Sequence, residues 1–190
     1  MSEARLTRVL YMEDDPGLSL ILKKHLERRG YSVDLAADGE QGLKMVDAGQ
    51  YDVLLVDYHM PVLSGIDVIR GLSSKGIPVP VIMLTGEGSE SVAVEALKVG
   101  ASDYIVKDLE VRYLELLPAV INRVFSRQQV SKERRRMEDA IRESEERYRK
   151  LVELSPDGIS IHAEGKFVFM NPAGARMLGA AHPDQIIGMS

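Results

Sequence analysis

Val53-Leu-Leu-Val-Asp-Tyr-His-Met-Pro61 decides the fold. Four consecutive aliphatic residues with no polar break make a strand buried on both faces. Asp57 follows at once, where an ionised carboxylate is costly unless something nearby uses it. Working outward, Val79-Pro-Val-Ile-Met-Leu84 is a second buried strand, and Arg8-Val-Leu-Tyr-Met12 is a third. Tyr31-Ser-Val-Asp-Leu-Ala36 alternates as a strand does, and residues 102–106 make a fifth. Between the strands the apolar spacing is helical. Leu18, Ile21, Leu22 and Leu26 run to a stop at Gly30, and residues 38–49 carry Leu43 and Val46 inward. Residues 65–76 present Ile66, Ile69 and Leu72; residues 89–100 form a helix with Ser89 or Glu90 near its cap. A last helix starts at about Val111 or Leu116, and Pro118 must sit in its first turn or kink it.

Strict alternation of strand and helix predicts an α/β fold, a five-stranded doubly wound parallel sheet with helices on both faces. In such sheets functional groups gather at the carboxyl ends of the strands. Those ends are Glu13-Asp14, Asp57, Thr85-Gly86 and Lys107. Three carboxylates held together repel one another, and a divalent cation relieves them. With only oxygen donors on offer, Mg²⁺ suits the set. A carboxylate can also act as a nucleophile toward phosphorus, a reaction that needs little beyond positioning and charge neutralisation. Each residue alone has a plainer reading. Glu13-Asp14-Asp15 before a helix can cap it, Asp57 near Pro61 can form a turn, Thr85 can simply end a strand, and Lys107 can be a solvated charge. The constellation is more specific than any member.

Residues 1 to about 125 resemble the receiver domain of bacterial two-component response regulators, with a flavodoxin-like fold. The resemblance rests on Val9-Leu-Tyr-Met-Glu-Asp-Asp-Pro16, Leu54-Leu-Val-Asp-Tyr-His-Met-Pro61 with Gly65, Val81-Ile-Met-Leu-Thr-Gly86 and Gly100-Ala-Ser-Asp-Tyr-Ile-Val-Lys107. It implies that Asp57 is the phosphoacceptor. It also implies that Mg²⁺ is held by Asp57, by Asp14 directly, by Glu13 through water and by the backbone carbonyl of His59. Lys107 would pair with the phosphoryl group, Thr85 would move to hydrogen-bond it, and Tyr104 occupies the aromatic switch position. The sequence departs from the family at Asp108, where Pro is common after the lysine, and at His59. The implied donor is a histidine kinase or a histidine phosphotransfer protein.

Two further segments follow. Residues 123–150 lack Gly and Pro, and 16 of the 28 are charged. Pairs such as Glu138–Arg142, Glu143–Arg147 and Glu145–Arg149 sit at helical neighbour spacing. The stripe Leu117, Val120, Ile121, Val124 is followed, after a polar break over 128–136, by Met137, Ile141, Ser144, Tyr148 and Leu151 at heptad spacing. One long, coiled-coil-like helix is expected, pairing with a copy of itself over part of its length, or else a single solvated helix. Residues 151–190 resemble the opening of a PAS domain, an α+β fold. The resemblance lies in residues 148–154, Asp157-Gly-Ile159 and residues 167–179, with Asn171-Pro172-Ala173 as the turn. Glu164-Gly165 reads as a hairpin turn before the strand Lys166-Phe-Val-Phe-Met170. Only the first two strands and the first short helix of that family are expected. Ile159, Ile161, Phe167 and Phe169 should then be exposed. His162 and His182 read as a strand and a loop residue without a ligand role. The expected division is 1–122 receiver, 123–150 linker and 151–190 incomplete PAS.

Composition bounds these readings. The 190 residues contain no Cys, which excludes disulfides, thiolate metal sites and cysteine nucleophiles. The net charge of −5 conceals a receiver segment with 12 basic and 19 acidic residues and a linker with 10 and 6. Lys132-Glu-Arg-Arg-Arg136 is flanked by acids and reads as a solvated face, so no nucleic-acid partner is expected. No apolar run suits a signal peptide or a membrane span, and a cytoplasmic location is expected. The expected role is a phosphorylation switch, homodimeric through the receiver face and linker helix, with no output enzyme of its own and an output in a longer parent. Two alternatives are a metal-dependent phosphatase, disfavoured because His59 stands where a second Asp is usual, and a non-phosphorylated pseudo-receiver that serves as a dimerisation scaffold.

Overall fold

A computed structural model describes residues 5–86 and 90–189. The expected cap at Ser89 lies outside the described residues. The chain divides into two compact units, Met1–Val130 and Ser131–Ser190.

The first unit alternates β1 (Arg8–Met12), α1 (Pro16–Glu27), β2 (Ser32–Ala36), α2 (Gly39–Ala48), β3 (Val53–Asp57), α3 (Gly65–Ser74), β4 (Val81–Thr85), α4 (Glu90–Val99) and β5 (Asp103–Val106). It then enters α5 (Tyr113–Glu153), one helix of 41 residues that continues into the second unit. All strand pairs of this sheet are parallel, in the order β2-β1-β3-β4-β5. This is the flavodoxin-like order, with its switch point between β1 and β3. The fold class expected from the sequence is the one observed.

The two-residue period of the strands sorts the core into two faces. Val9, Tyr11, Leu55, Ile82 and Leu84 pack with Leu22 and Leu26 of α1 and with Leu114, Leu117, Ile121 and Val124 of α5. Leu10, Met12, Leu54, Val56 and Met83 pack with Val46, Ile66, Ile69, Leu72 and Ala96 of α2, α3 and α4. Ile21, expected inward, is instead half exposed, because Leu22 and Leu26 already fill the α1 seam. Strand β4 starts at Val81 rather than Val79, because Pro78 and Pro80 have no N–H to give a ladder. Pro118 stands in the second turn of α5, not the first, and the helix continues through it. Before that helix the Asp108 carboxylate accepts the Arg112 N–H at 2.6 Å and so caps the approach.

From Ser131 to Leu151 the α5 surface is exposed, including Met137, Ile141, Tyr148 and Leu151. Its ion pairs include the expected Glu143–Arg147 at 3.6 Å, but Glu138 pairs with Arg134 at 2.7 Å and Arg142 with Asp139 at 2.9 Å. Among the described residues no helix is long and apolar enough to cross a membrane.

In the second unit β6 (Ser160–Ala163) and β7 (Lys166–Met170) form an antiparallel hairpin. It is followed by α6 (Pro172–Met177) and a 3-10 turn at Pro183–Gln185. The turn was not expected, and His182 precedes it as the cap residue. Ile161 is exposed as expected, whereas Ile159, Phe167 and Phe169 are half buried.

Asn171 organises this unit. It is fully buried, and its amide uses both ends. Oδ1 accepts the N–H groups of Ile159 and Gly174 at 2.9 and 2.8 Å, and Nδ2 donates to the carbonyls of Val152 and Asp157, both at 2.9 Å. One side chain thus ties the end of α5, the following turn and the start of α6. Asn171→Ala would leave four backbone groups without this partner, at a cost of about 2–4 kcal/mol. The expected readout is faster amide exchange in residues 155–177 with unchanged exchange in the sheet of the first unit.

Candidate functional site

The carboxyl ends of β1, β3, β4 and β5 form one rim. The sequence Glu13-Asp14-Asp15 divides its labour there. Asp15 is the cap of α1, accepting the N–H groups of Gly17 and Leu18 at 2.7 and 2.9 Å. Asp14 is exposed, and Glu13 is buried at 3% exposure. The capping reading therefore holds for Asp15 and leaves Glu13 and Asp14 free for other work.

Asp57 ends β3 and is 4% exposed. One carboxylate oxygen from each of Glu13, Asp14 and Asp57 lies within 4.8 Å of the others. Lys107, just after β5, faces them. Its Nζ pairs with Asp57 Oδ1, and with Glu13 Oε2 at 3.1 Å. The lysine is anchored by its own backbone, whose N–H donates to the Thr85 carbonyl at 2.6 Å. The His59 N–H donates to Asp57 Oδ2 at 3.0 Å, which fixes the carboxylate plane. Gly65 lets α3 approach, since a Cβ there would stand 2.5 Å from the Asp57 carbonyl oxygen.

Thr85 is fully buried at the end of β4, and its Oγ1 has no hydrogen-bond partner among the described residues. A buried hydroxyl without a partner is uncommon in native structures. Tyr104 on β5 lies outside this cluster and is 39% exposed. The structure thus brings Glu13, Asp14, Asp57 and Lys107 together. It leaves Thr85 at the adjacent strand end and turns Tyr104 toward solvent.

Sequence reasoning missed Tyr11. Its phenol donates to Glu13 Oε2 at 2.5 Å. The signal was available, because a polar-tipped residue two positions before Glu13 on a strand must share its face. Tyr113, the first residue of α5, was also missed; it is buried, and that burial chiefly raises its phenol above the ordinary value.

Burial chiefly lifts the Asp57 carboxyl above its ordinary value of 3.8, and the Glu13 charge adds to this. The hydrogen bond from Lys107 opposes the rise without cancelling it. For Lys107, burial alone would depress the ammonium, but its bonds to Asp57 and Glu13 and their charges win, and its pKa is raised. Burial, with the Glu13 charge and bond, also raises the Tyr11 phenol, which stays a protonated donor.

Residues 9–117 match the response regulator receiver domain, and the chain belongs to that family. Residues 146–190 match a PAS domain. The transcriptional regulatory protein DltR of Streptococcus agalactiae is 38% identical over 103 residues, 54% of this chain and 46% of DltR. The response regulator MprA of Mycobacterium leprae is 41% identical over 100 residues, 53% of this chain and 44% of MprA. The chain thus spans about half the length of the curated relatives it matches. The solved receiver domain of the Francisella response regulator 1452 is 30% identical with a TM-score of 0.59, covering 64% of this chain and 98% of that one. Family membership supports a phosphoacceptor signalling role.

The raised carboxyl sets a pH dependence. The folded state binds the Asp57 proton more tightly than the unfolded state does. Ionisation of Asp57 therefore costs stability above 3.8, and the cost is complete once pH exceeds the raised folded value. Asp57→Asn is expected to raise Tm near neutral pH, in buffer free of divalent cations, by about 2–4 °C. The gain should shrink as pH falls through that window, as measured by calorimetry.

Proposed function

We propose that Asp57 accepts a phosphoryl group from a phosphohistidine on a histidine kinase or histidine phosphotransfer protein. The observation that supports this best is Asp57 buried at a strand end with Lys107 paired to it and two more carboxylates alongside. An Asp57 carboxylate oxygen forms a bond to phosphorus as the P–N bond of the donor breaks. The imidazole nitrogen leaves with the bonding pair and is protonated. The product is an acyl phosphate, and hydrolysis restores the carboxylate.

The residues fit a magnesium ion. Three hard oxygen donors of like charge lie within 4.8 Å, and a neighbouring buried Thr85 hydroxyl lacks a partner among the described residues. Asp14, Asp57 and the His59 carbonyl would hold it, with Glu13 acting through water. When bound it neutralises charge on the transferring oxygens. Lys107 then pairs with the phosphoryl group, and Thr85 Oγ1 gains the hydrogen bond it lacks. Tyr104, exposed on β5, turns inward behind Thr85. The phosphoryl group biases the α4-β5-α5 surface between two states.

In this reading residues 1–122 are the receiver, 123–150 the linker and 151–190 part of a PAS domain. The protein acts in the cytoplasm as a switch without enzymatic output in these residues. The exposed Met137, Ile141, Tyr148 and Leu151 recur at heptad spacing and pair with the same stripe of a second copy.

Incubation with Mg²⁺ and acetyl phosphate should add one phosphoryl group by intact mass. Asp57→Asn should remove that addition entirely. Labelling that survives the substitution, or none in the native chain, would falsify the assignment. The paired linker has its own test. Ile141→Glu with Tyr148→Glu should shift sedimentation equilibrium toward monomer by at least about tenfold in dissociation constant, because two charged residues enter an apolar seam. An unchanged mass average would mean that the stripe is solvated.

A further inference from the structure

Tyr11 stands between Leu10 and Met12 in a strand that otherwise carries only apolar side chains into the core. A phenol brought to zero exposure needs a hydrogen-bond partner. It finds Glu13 Oε2 at 2.5 Å, and the same oxygen also accepts Lys107 Nζ at 3.1 Å. Among the described residues Glu13 Oε1 has only the distant Asp15 N–H at 3.4 Å. The two donors on Oε2 differ in commitment. Lys107 is shared with Asp57, whereas the phenol serves Glu13 alone among the described residues.

That difference matters when a new anion forms on Asp57. Lys107 can follow the phosphoryl oxygens only by loosening its bond to Glu13. A buried carboxylate that loses its last strong donor is heavily penalised. We infer that Tyr11 is a positioning residue for phosphoryl transfer, holding Glu13 so that Lys107 can exchange it for the phosphoryl group. The inference rests on Asp57 as the acceptor. A neutral phenol suits the task better than a second cation would. It satisfies Glu13 without cancelling the negative charge that draws a divalent ion, so binding of the ion and transfer of the phosphoryl group respond differently to its loss.

Tyr11→Phe in the full chain separates the two. At saturating Mg²⁺, phosphorylation by acetyl phosphate should slow by about tenfold. Mg²⁺ affinity by titration calorimetry should stay the same or tighten, because Glu13 keeps its charge and loses a donor. In a Glu13→Gln background the same change should have no further effect on rate, since Tyr11 acts through that carboxylate. Loss of rate and Mg²⁺ affinity together would show a loosened pocket and overturn the inference. So would an additive effect in the Glu13→Gln background. A native chain that labels at Asp57 while Tyr11→Phe labels equally fast overturns this inference alone. A native chain that does not label at all overturns the acceptor reading and this inference with it.

Discussion

One ammonium group holds the site together. Lys107 lies between Asp57 and Glu13, and without it the ends of β1 and β3 would bury two carboxylates side by side. Opposite charges at such distances gain more in a poorly solvated rim than in water, but each ion also pays for leaving solvent. Here the balance falls differently on the two partners. The ammonium is favoured, while the Asp57 carboxyl stays above its ordinary range. The excess of negative charge is a consequence of parallel topology. Strands β1 and β3 are neighbours and run the same way, so whatever ends them ends together.

The rest of the first unit serves that rim. Its two apolar layers fix the strand ends, and the small Gly65 admits α3 beside Asp57. Asp15 satisfies the first amides of α1, which keeps Glu13 and Asp14 from being drawn into capping. Neighbouring acids of the same chemical type therefore end in three environments: one buried, one exposed, one committed to a helix.

Much of this was legible in the sequence. The run 53–56 announced a strand covered on both faces, and the strand ends pointed to Asp57, Thr85 and Lys107. What stayed illegible depended on contacts between distant segments. Tyr11 looked like another apolar strand residue; its place beside Glu13 follows from the two-residue period, but its sharing of that carboxylate with Lys107 depends on the fold. Ile21 fitted the helical period but lost its place to Leu22 and Leu26. The prolines before β4 could be seen, yet their effect on the strand start needs the neighbouring ladder, where Leu54 N–H donates to the Pro80 carbonyl. On α5 the periodicity marked a stripe, while the choice of ion-pair partners followed rotamers that spacing leaves open.

The amide of Asn171 has a consequence for how the protein ages. Spontaneous deamidation of asparagine requires the following backbone nitrogen to attack the side-chain carbonyl and close a five-membered ring. The next residue is Pro172, whose nitrogen carries no hydrogen and is already fully substituted. The amide is also fully buried and held at both ends. The side chain on which the second unit hangs is thereby protected from the commonest chemical lesion of its type. Conversion to aspartate would exchange its two N–H donors for a charge facing the Val152 and Asp157 carbonyls.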